Sequence, residues 1–231
     1  MKIKLAISTL LGIAAWSLSS MAMAWDTGPC PSPGGPAPCI EAVVGGNTYH
    51  FNGSGAYADV WKGLPTTGAD FQFSGPTELG CGSLDLDCTL TLGGKVKKCQ
   101  DSSGAWRIGV QVNSSNVSGG FPCGTVVLGN FEWLAKDPTI TSHCPFTDTC
   151  DNFIPYDPNA SDYTANFGEI DITVLFIPRV RDGHVHGVVF TPGAGANFAF
   201  NSQFYDCDEN DLGCSVEGVL TLTNATSLDI H

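Results

Sequence analysis

With 10 Lys and Arg against 23 Asp and Glu in 231 residues, the chain carries a formal charge of -13 at pH 7 and no basic cluster. Such a surface repels nucleic acid and anionic membrane, which excludes a nucleic-acid partner, and it favours solubility and cationic or basic partners. The 28 Gly and 14 Pro argue against long helices, while 42% hydrophobic content excludes a disordered tail.

Lys2 and Lys4 precede an apolar run from Leu5 to about Leu18, and Ala22-Met23-Ala24 supplies an Ala-x-Ala site. Together these describe a secretory signal peptide over 1–24. The run is too short and too Ser-rich for a membrane span, and no later segment is long and apolar enough to be one. Cleavage leaves Trp25 at the mature N-terminus and, with two lysines gone, moves the charge from -13 to -15. The expected location is extracellular or the outer cell surface, with the periplasm as the alternative.

All ten cysteines follow the signal peptide: Cys30, Cys39, Cys81, Cys88, Cys99, Cys123, Cys144, Cys150, Cys207 and Cys214. An even count in an exported chain predicts up to five structural disulfides. Close spacing suggests local pairs Cys30/Cys39, Cys81/Cys88, Cys144/Cys150 and Cys207/Cys214, leaving Cys99/Cys123, although spacing does not establish connectivity. There is no Cys-x-x-Cys pair to suggest a thiolate metal site.

In chain order, 25–39 is a Pro/Gly/Cys-rich leader to a β domain over 40–231. Phe71-Gln72-Phe73 is a strand, and Thr89–Leu92 is another, ending in a turn at Gly93-Gly94. From Trp106 to Val112 the alternation is strict, with Trp106, Ile108, Val110 and Val112 on one face of a half-buried strand. Thr125–Leu128 follows, then a long loop from Lys136 to Tyr163 that is poor in strand signal. Ile170–Ile177 is a dense apolar run, expected to be buried on both faces and ended by Pro178. With Val185–Phe190 it predicts a hairpin turning at Asp182-Gly183. Phe198–Phe204 and Val216–Thr223 complete the set. Many short strands and no sustained helical stripe predict an all-β fold, a disulfide-linked antiparallel β-sandwich or open barrel with long loops. Two stretches share Cys spacing, acidic content and a following Thr/Leu strand: Cys81–Leu92 and Cys207–Thr223. A duplication would give similar halves at 40–135 and 164–231; chance in a Thr-rich β chain is the simpler explanation.

Several clusters are candidates for chemistry. Asp208, Glu209 and Asp211 lie together in one acidic loop and are the calcium candidates, because calcium needs several converging hard oxygens. Neither this stretch nor the acidic run from Asp148 to Asp162 matches an EF-hand. His184 and His186, two apart on a strand, share a face and are the transition-metal candidates, but two ligands fall short of a site. No Gly-x-Ser-x-Gly elbow and no phosphate loop is present. Trp61, Trp106 and Trp133 are placed either to line a platform for a sugar or apolar ligand or to fill the core.

One region resembles a known family. Phe73-Ser74-Gly75-Pro76-Thr77, Leu86 through Val96, Ser118-Gly119-Gly120-Phe121-Pro122-Cys123-Gly124 and Asn130-Phe131-Glu132-Trp133 together look like the secreted bacterial protein activator of alkane oxidation family. The resemblance spans about residues 71–133. It implies an exported Gram-negative protein associated with growth on alkanes and with the biofilm or cell surface. It also implies that Cys88 and Cys123 are the family cysteines and pair with each other, against the local Cys81/Cys88 pairing. It carries no catalytic residues.

The resulting expectation is a non-enzymatic secreted or surface-associated protein. It would act by interaction or extracellular assembly, with itself, with a cell-surface or matrix component, or with an apolar ligand or polysaccharide. The alternatives are a secreted hydrolase of polysaccharide or lipid and a calcium-stabilised carbohydrate-binding module. Calcium is the one cofactor entertained.

Overall fold

The computed structural model describes residues 25–31, 37–52, 59–141 and 144–231; the signal peptide over 1–24 lies outside them. Fifteen strands account for the described elements, together with two single 3-10 turns at Cys123–Thr125 and Cys150–Asn152. The main wall is built from β4 (Phe71–Cys81), β5 (Leu84–Gln100), β6 (Trp106–Ser118), the short β8 (Trp133–Lys136), β10 (Tyr163–Val174), β11 (Ile177–Thr191), β13 (Asn197–Tyr205) and β14 (Asp211–Leu222). They pair antiparallel in the order β11-β13-β14-β4-β5-β6-β8-β10. A further β10–β11 pairing, from Tyr163↔Phe190 to Val174↔Ile177, closes this wall on itself. The expected all-β, antiparallel, disulfide-linked fold is therefore present, and its form is a closed barrel rather than a sandwich or an open one. Two short strands flank the wall, β7 (Val126–Gly129) beside β10 and β9 (Ile154–Pro155) beside β6.

A second sheet joins β1 (Asp26–Thr27), β3 (Asn47–Asn52), β2 (Cys39–Val44), β15 (Ser227–Ile230) and β12 (Gly193–Ala194), in that order. Its Ile40, Leu228 and Ile230 reach the barrel interior and so close one end of it. The leader is part of this cap. Trp25 is buried with its ring 4.7 Å from Phe51, edge to face, and its Nε1 donates to the Gly63 carbonyl at 3.0 Å.

Strand alternation was a sound guide to the wall. On β6, Ile108 and Val112 are buried, and Val110 and Val112 face the interior, while Trp106 is half-buried at the strand's start. The turn signals misled twice. Gly93-Gly94 is not a turn but lies inside β5, at a bulge against β6. A Cβ on Gly94 would stand 2.2 Å from the Gln111 carbonyl oxygen, so glycine is needed for strand contact there, not for chain reversal. Likewise Asp182-Gly183 lies within β11, beside a register shift opposite Ile170, and the hairpin turns instead at Leu175-Phe176. Asp182 takes a φ of +48°, so the left-handed tolerance of Asp serves a bulge. Pro178 opens β11 rather than ending β10, and the run from Ile170 is buried on one face only: Ile170, Ile172 and Val174 face inward, whereas Phe176 is 93% exposed.

Disulfides join Cys30–Cys39, Cys81–Cys214, Cys88–Cys123, Cys99–Cys150 and Cys144–Cys207. Of the local pairs only Cys30–Cys39 forms; Cys81/Cys88, Cys144/Cys150, Cys207/Cys214 and the leftover Cys99/Cys123 do not. The reason is the barrel: β14 lies against β4 and places Cys214 opposite Cys81, although 133 residues separate them in sequence. Cys88–Cys123, the pair implied by the family resemblance, is present. The two similar Cys-containing stretches lie against each other in the wall, where Cys81 of one bonds Cys214 of the other.

β5 buries two consecutive lysines, one on each of its faces. Lys97 reaches Asp59 at 2.9 Å and Asp148, with its ammonium over the Trp61 and Phe153 rings. Lys98 is fully buried, donates to the Pro38 carbonyl and lies over Phe51 and Trp106. Burial lowers the Lys98 pKa from 10.5 to about 8, and lowers those of Lys62 and Lys136 as well. Between pH 8 and 10.5 the unfolded chain then binds more protons than the folded one, so stability rises with pH across that window. Tyr163, raised by burial above its ordinary 10.0, opposes this at higher pH, because the folded state keeps a proton that the unfolded state releases. Urea denaturation from pH 7 to 10.5 is expected to show a maximum near about pH 10. Lys98→Met is expected to remove most of the rise, on the order of 3 kcal/mol; an unchanged slope in that variant would rule this out.

Candidate functional site

Two places in the molecule gather side chains in a way that packing alone does not require. The larger is inside the barrel. An eight-stranded barrel encloses an interior that side chains just fill or that holds one small ligand. Here a cavity of about 140 Å³ is left. Inward positions of every long strand line it, and the aromatic ones cluster. Phe73 and Phe198 are 4.7 Å apart, Phe190 and Phe198 4.9 Å, and Phe167 lies 6.3 Å from Phe198. The polar residues that reach the lining are Thr77, Lys95 and Gln111; Thr77 donates its hydroxyl to the Cys88 carbonyl, and Gln111 is buried. No carboxylate or imidazole of the described residues lines this space.

The lining extends from the capped end to half-buried Val117, Val126 and Val216, near the opposite rim. That rim is apolar on its outside too. Phe176 at the tip of the β10–β11 turn is 93% exposed and Phe121, in the loop after β6, is 87% exposed. Ile177, next to Phe176 on β11, and Val127 of β7, paired with Thr173, are exposed as well. The Leu175 amide donates to Thr125 Oγ1, which holds the loop carrying Phe121 against the turn carrying Phe176.

The second place is on the outer face of β11. Val185 points into the barrel, so His184 and His186 point out, as their spacing requires. Glu209, in the loop between β13 and β14, comes to both: its Oε1 is 2.9 Å from His184 Nε2 and 3.5 Å from His186 Nε2. Tyr205 stacks on His186 at 4.8 Å, and Phe146 packs 5.8 Å from His184. The two covering segments are joined by Cys144–Cys207.

This regroups the acidic loop. Of Asp208, Glu209 and Asp211, Glu209 turns to the histidines, and Asp211 Oδ1 accepts from its own loop at the Gly213 amide, 2.7 Å away. Asp206, which drew no attention in the sequence, organises the loop by accepting from the amides of Asp208 and Asn210 and from the Asn210 side chain. Those bonds hold its carboxyl below the usual range, the Asn210 side chain being the largest cause. Two other donor groups, Cys30 with Glu41 and His231, and Asp59 with Cys99 and Cys150, rest on disulfide-bonded cysteines and offer no thiolate. The tryptophans share no platform: Trp133 faces the cavity, Trp106 covers Lys98 and Trp61 covers Lys97.

No family model, curated protein or solved structure matches this chain. Among the described residues no helix is long and apolar enough to cross a membrane.

Replacing Cys144 and Cys207 together by Ser should lower stability by about 2–4 kcal/mol. It should also free the Glu209 loop from β11, read as loss of the nuclear Overhauser contacts between Phe146 and the His184 ring. Retention of those contacts at unchanged stability would mean the disulfide does not hold this site together.

Proposed function

We propose that the protein is a non-enzymatic, extracellular binder of one small apolar molecule, held inside the barrel. The observation that carries this is the cavity, lined by aliphatic and aromatic side chains. A cavity of ~150 Å³ with such a lining stays dry and accepts benzene or xenon, because water finds too few polar partners in it. The ligand class is therefore a compact hydrocarbon, a single aromatic ring or a short alkyl chain, without a charged head group. Entry is at the rim of Phe121 and Phe176, since the cap of β2 and β15 covers the other end. The resemblance over residues 71–133 to proteins associated with growth on alkanes agrees with this ligand class. Five disulfides suit an oxidising compartment outside the cytoplasm.

Assembly through strand addition has less to recommend it. Closure removes edges from the barrel, and the edge strands left among the described residues are β1, β9 and β12, of two residues each, and the four-residue β7. A hydrolase needs titratable groups converging on a substrate, and the cavity lining offers Lys95 alone among the described residues.

Calorimetric titration with benzene and with short alkanes should show saturable 1:1 binding, accompanied by a change in Trp133 fluorescence. Val112→Phe fills the cavity and should weaken binding at least tenfold without loss of thermal stability. Phe198→Ala should enlarge the cavity, cost about 3–5 kcal/mol of stability and shift preference to longer chains. Absence of saturable binding by the wild type, with Val112→Phe strongly destabilised, would mean the interior is a packed core and sink the proposal.

A further inference from the structure

We propose that His184, His186 and Glu209 form a binding site for one divalent first-row transition-metal ion, with zinc the best fit to the donors. Two imidazole nitrogens and one carboxylate oxygen are a donor set that zinc takes in three-ligand sites. Zinc binds such nitrogens at about 2.0–2.1 Å and carboxylate oxygens at about 2.0–2.2 Å, so tetrahedral geometry sets neighbouring donors roughly 3.4 Å apart. The Glu209 oxygen stands 2.9 and 3.5 Å from the two Nε2 atoms, and all three donors lie within 4.8 Å of one another. Closing the set onto an ion takes adjustment of the His186 ring as well as of the Glu209 side chain.

The surroundings hold the donors in place. The histidines are on a barrel strand, and the His186 amide is fixed by a bond to Ser202 Oγ at 2.9 Å. Tyr205 and Phe146 flank the rings. Glu209 takes a φ of +65° in a loop closed by Asp206 and anchored by Cys144–Cys207. A non-glycine residue in that conformation is held there by its surroundings, and here the result is to aim the carboxylate at β11. Exposure is graded across the donors: the His184 side chain is 1% accessible, that of His186 31% and that of Glu209 35%. The His186 Nε2 atom itself is buried, so an ion here is shielded on the histidine side and a fourth ligand would reach it past Glu209. Asp206 and Asp208 nearby add negative charge that favours a cation. The site is on the outside of the wall and is independent of the cavity within.

The test uses the mature, oxidised full chain, stripped with EDTA and titrated with zinc against a chromophoric chelator, and separately with cobalt. One ion per chain is expected at micromolar or better affinity, with the visible absorption of tetrahedral cobalt. Zinc at a hundred times its Kd should raise Tm by about 5–10 °C. His186→Ala and Glu209→Gln are both at accessible positions and should each weaken binding about 100-fold and abolish the cobalt bands. Asp211→Asn, outside the donor set, should stay within threefold of wild type. Lack of stoichiometric binding by the wild type overturns the site, as does binding that His186→Ala and Glu209→Gln leave unchanged. Benzene binding by His186→Ala should match wild type, so failure of the metal site and failure of the cavity are read separately.

Discussion

Everything described above depends on one pairing, that of β10 with β11. Without it the eight strands are an open twisted sheet with two exposed edges and one face of apolar side chains in water. With it, the sheet has an inside. The pairing is irregular, with bulges opposite Phe167, Ile170 and Ile172, and those bulges curve the wall as closure requires. The same strand carries both candidate sites, because β11 sends Val185, Val188 and Phe190 inward to the cavity and His184 and His186 outward to Glu209.

The disulfides follow from closure as well. Four of the five join residues 35 to 133 positions apart in sequence, and each ties a strand or loop to a neighbour that only the barrel brings near. Cys81–Cys214 staples β4 to β14, Cys88–Cys123 holds the loop carrying Phe121 to β5, Cys99–Cys150 fastens the long loop to the wall, and Cys144–Cys207 spans the outer site. The small sheet completes the enclosure by covering one end with Ile40, Leu228 and Ile230, while Phe121 and Phe176 leave the other rim apolar. An interior closed at one end and apolar at the other is what supports the proposal of an apolar ligand.

How much of this was legible in the sequence depended on range. Period-two alternation from Trp106 to Val112 located a strand, because side-chain direction there is a local property. Thr89–Leu92, which alternates threonine and leucine, is a strand for the same reason. Gly93-Gly94 and Asp182-Gly183 misled because a bulge and a turn call on the same backbone freedom, and the choice between them is made by the partner strand. Cysteine spacing misled for a related reason, since closeness in sequence says little once strands from both ends of the chain share a wall. The shared face of His184 and His186 was visible, but Glu209 joins them across a hairpin and through a disulfide, and in sequence it belonged with Asp208 and Asp211. The cavity had no local signature at all: an inward Phe or Val reads alike whether the space beyond it is filled or empty.

The most direct test of the central claim, that the barrel encloses a dry apolar chamber, is a crystal structure of the mature protein under xenon pressure. Xenon density among Phe73, Val112, Phe190 and Phe198 inside an eight-stranded closed wall is the predicted result. Ordered water at that place, or side chains packed through it with xenon excluded, would contradict the account.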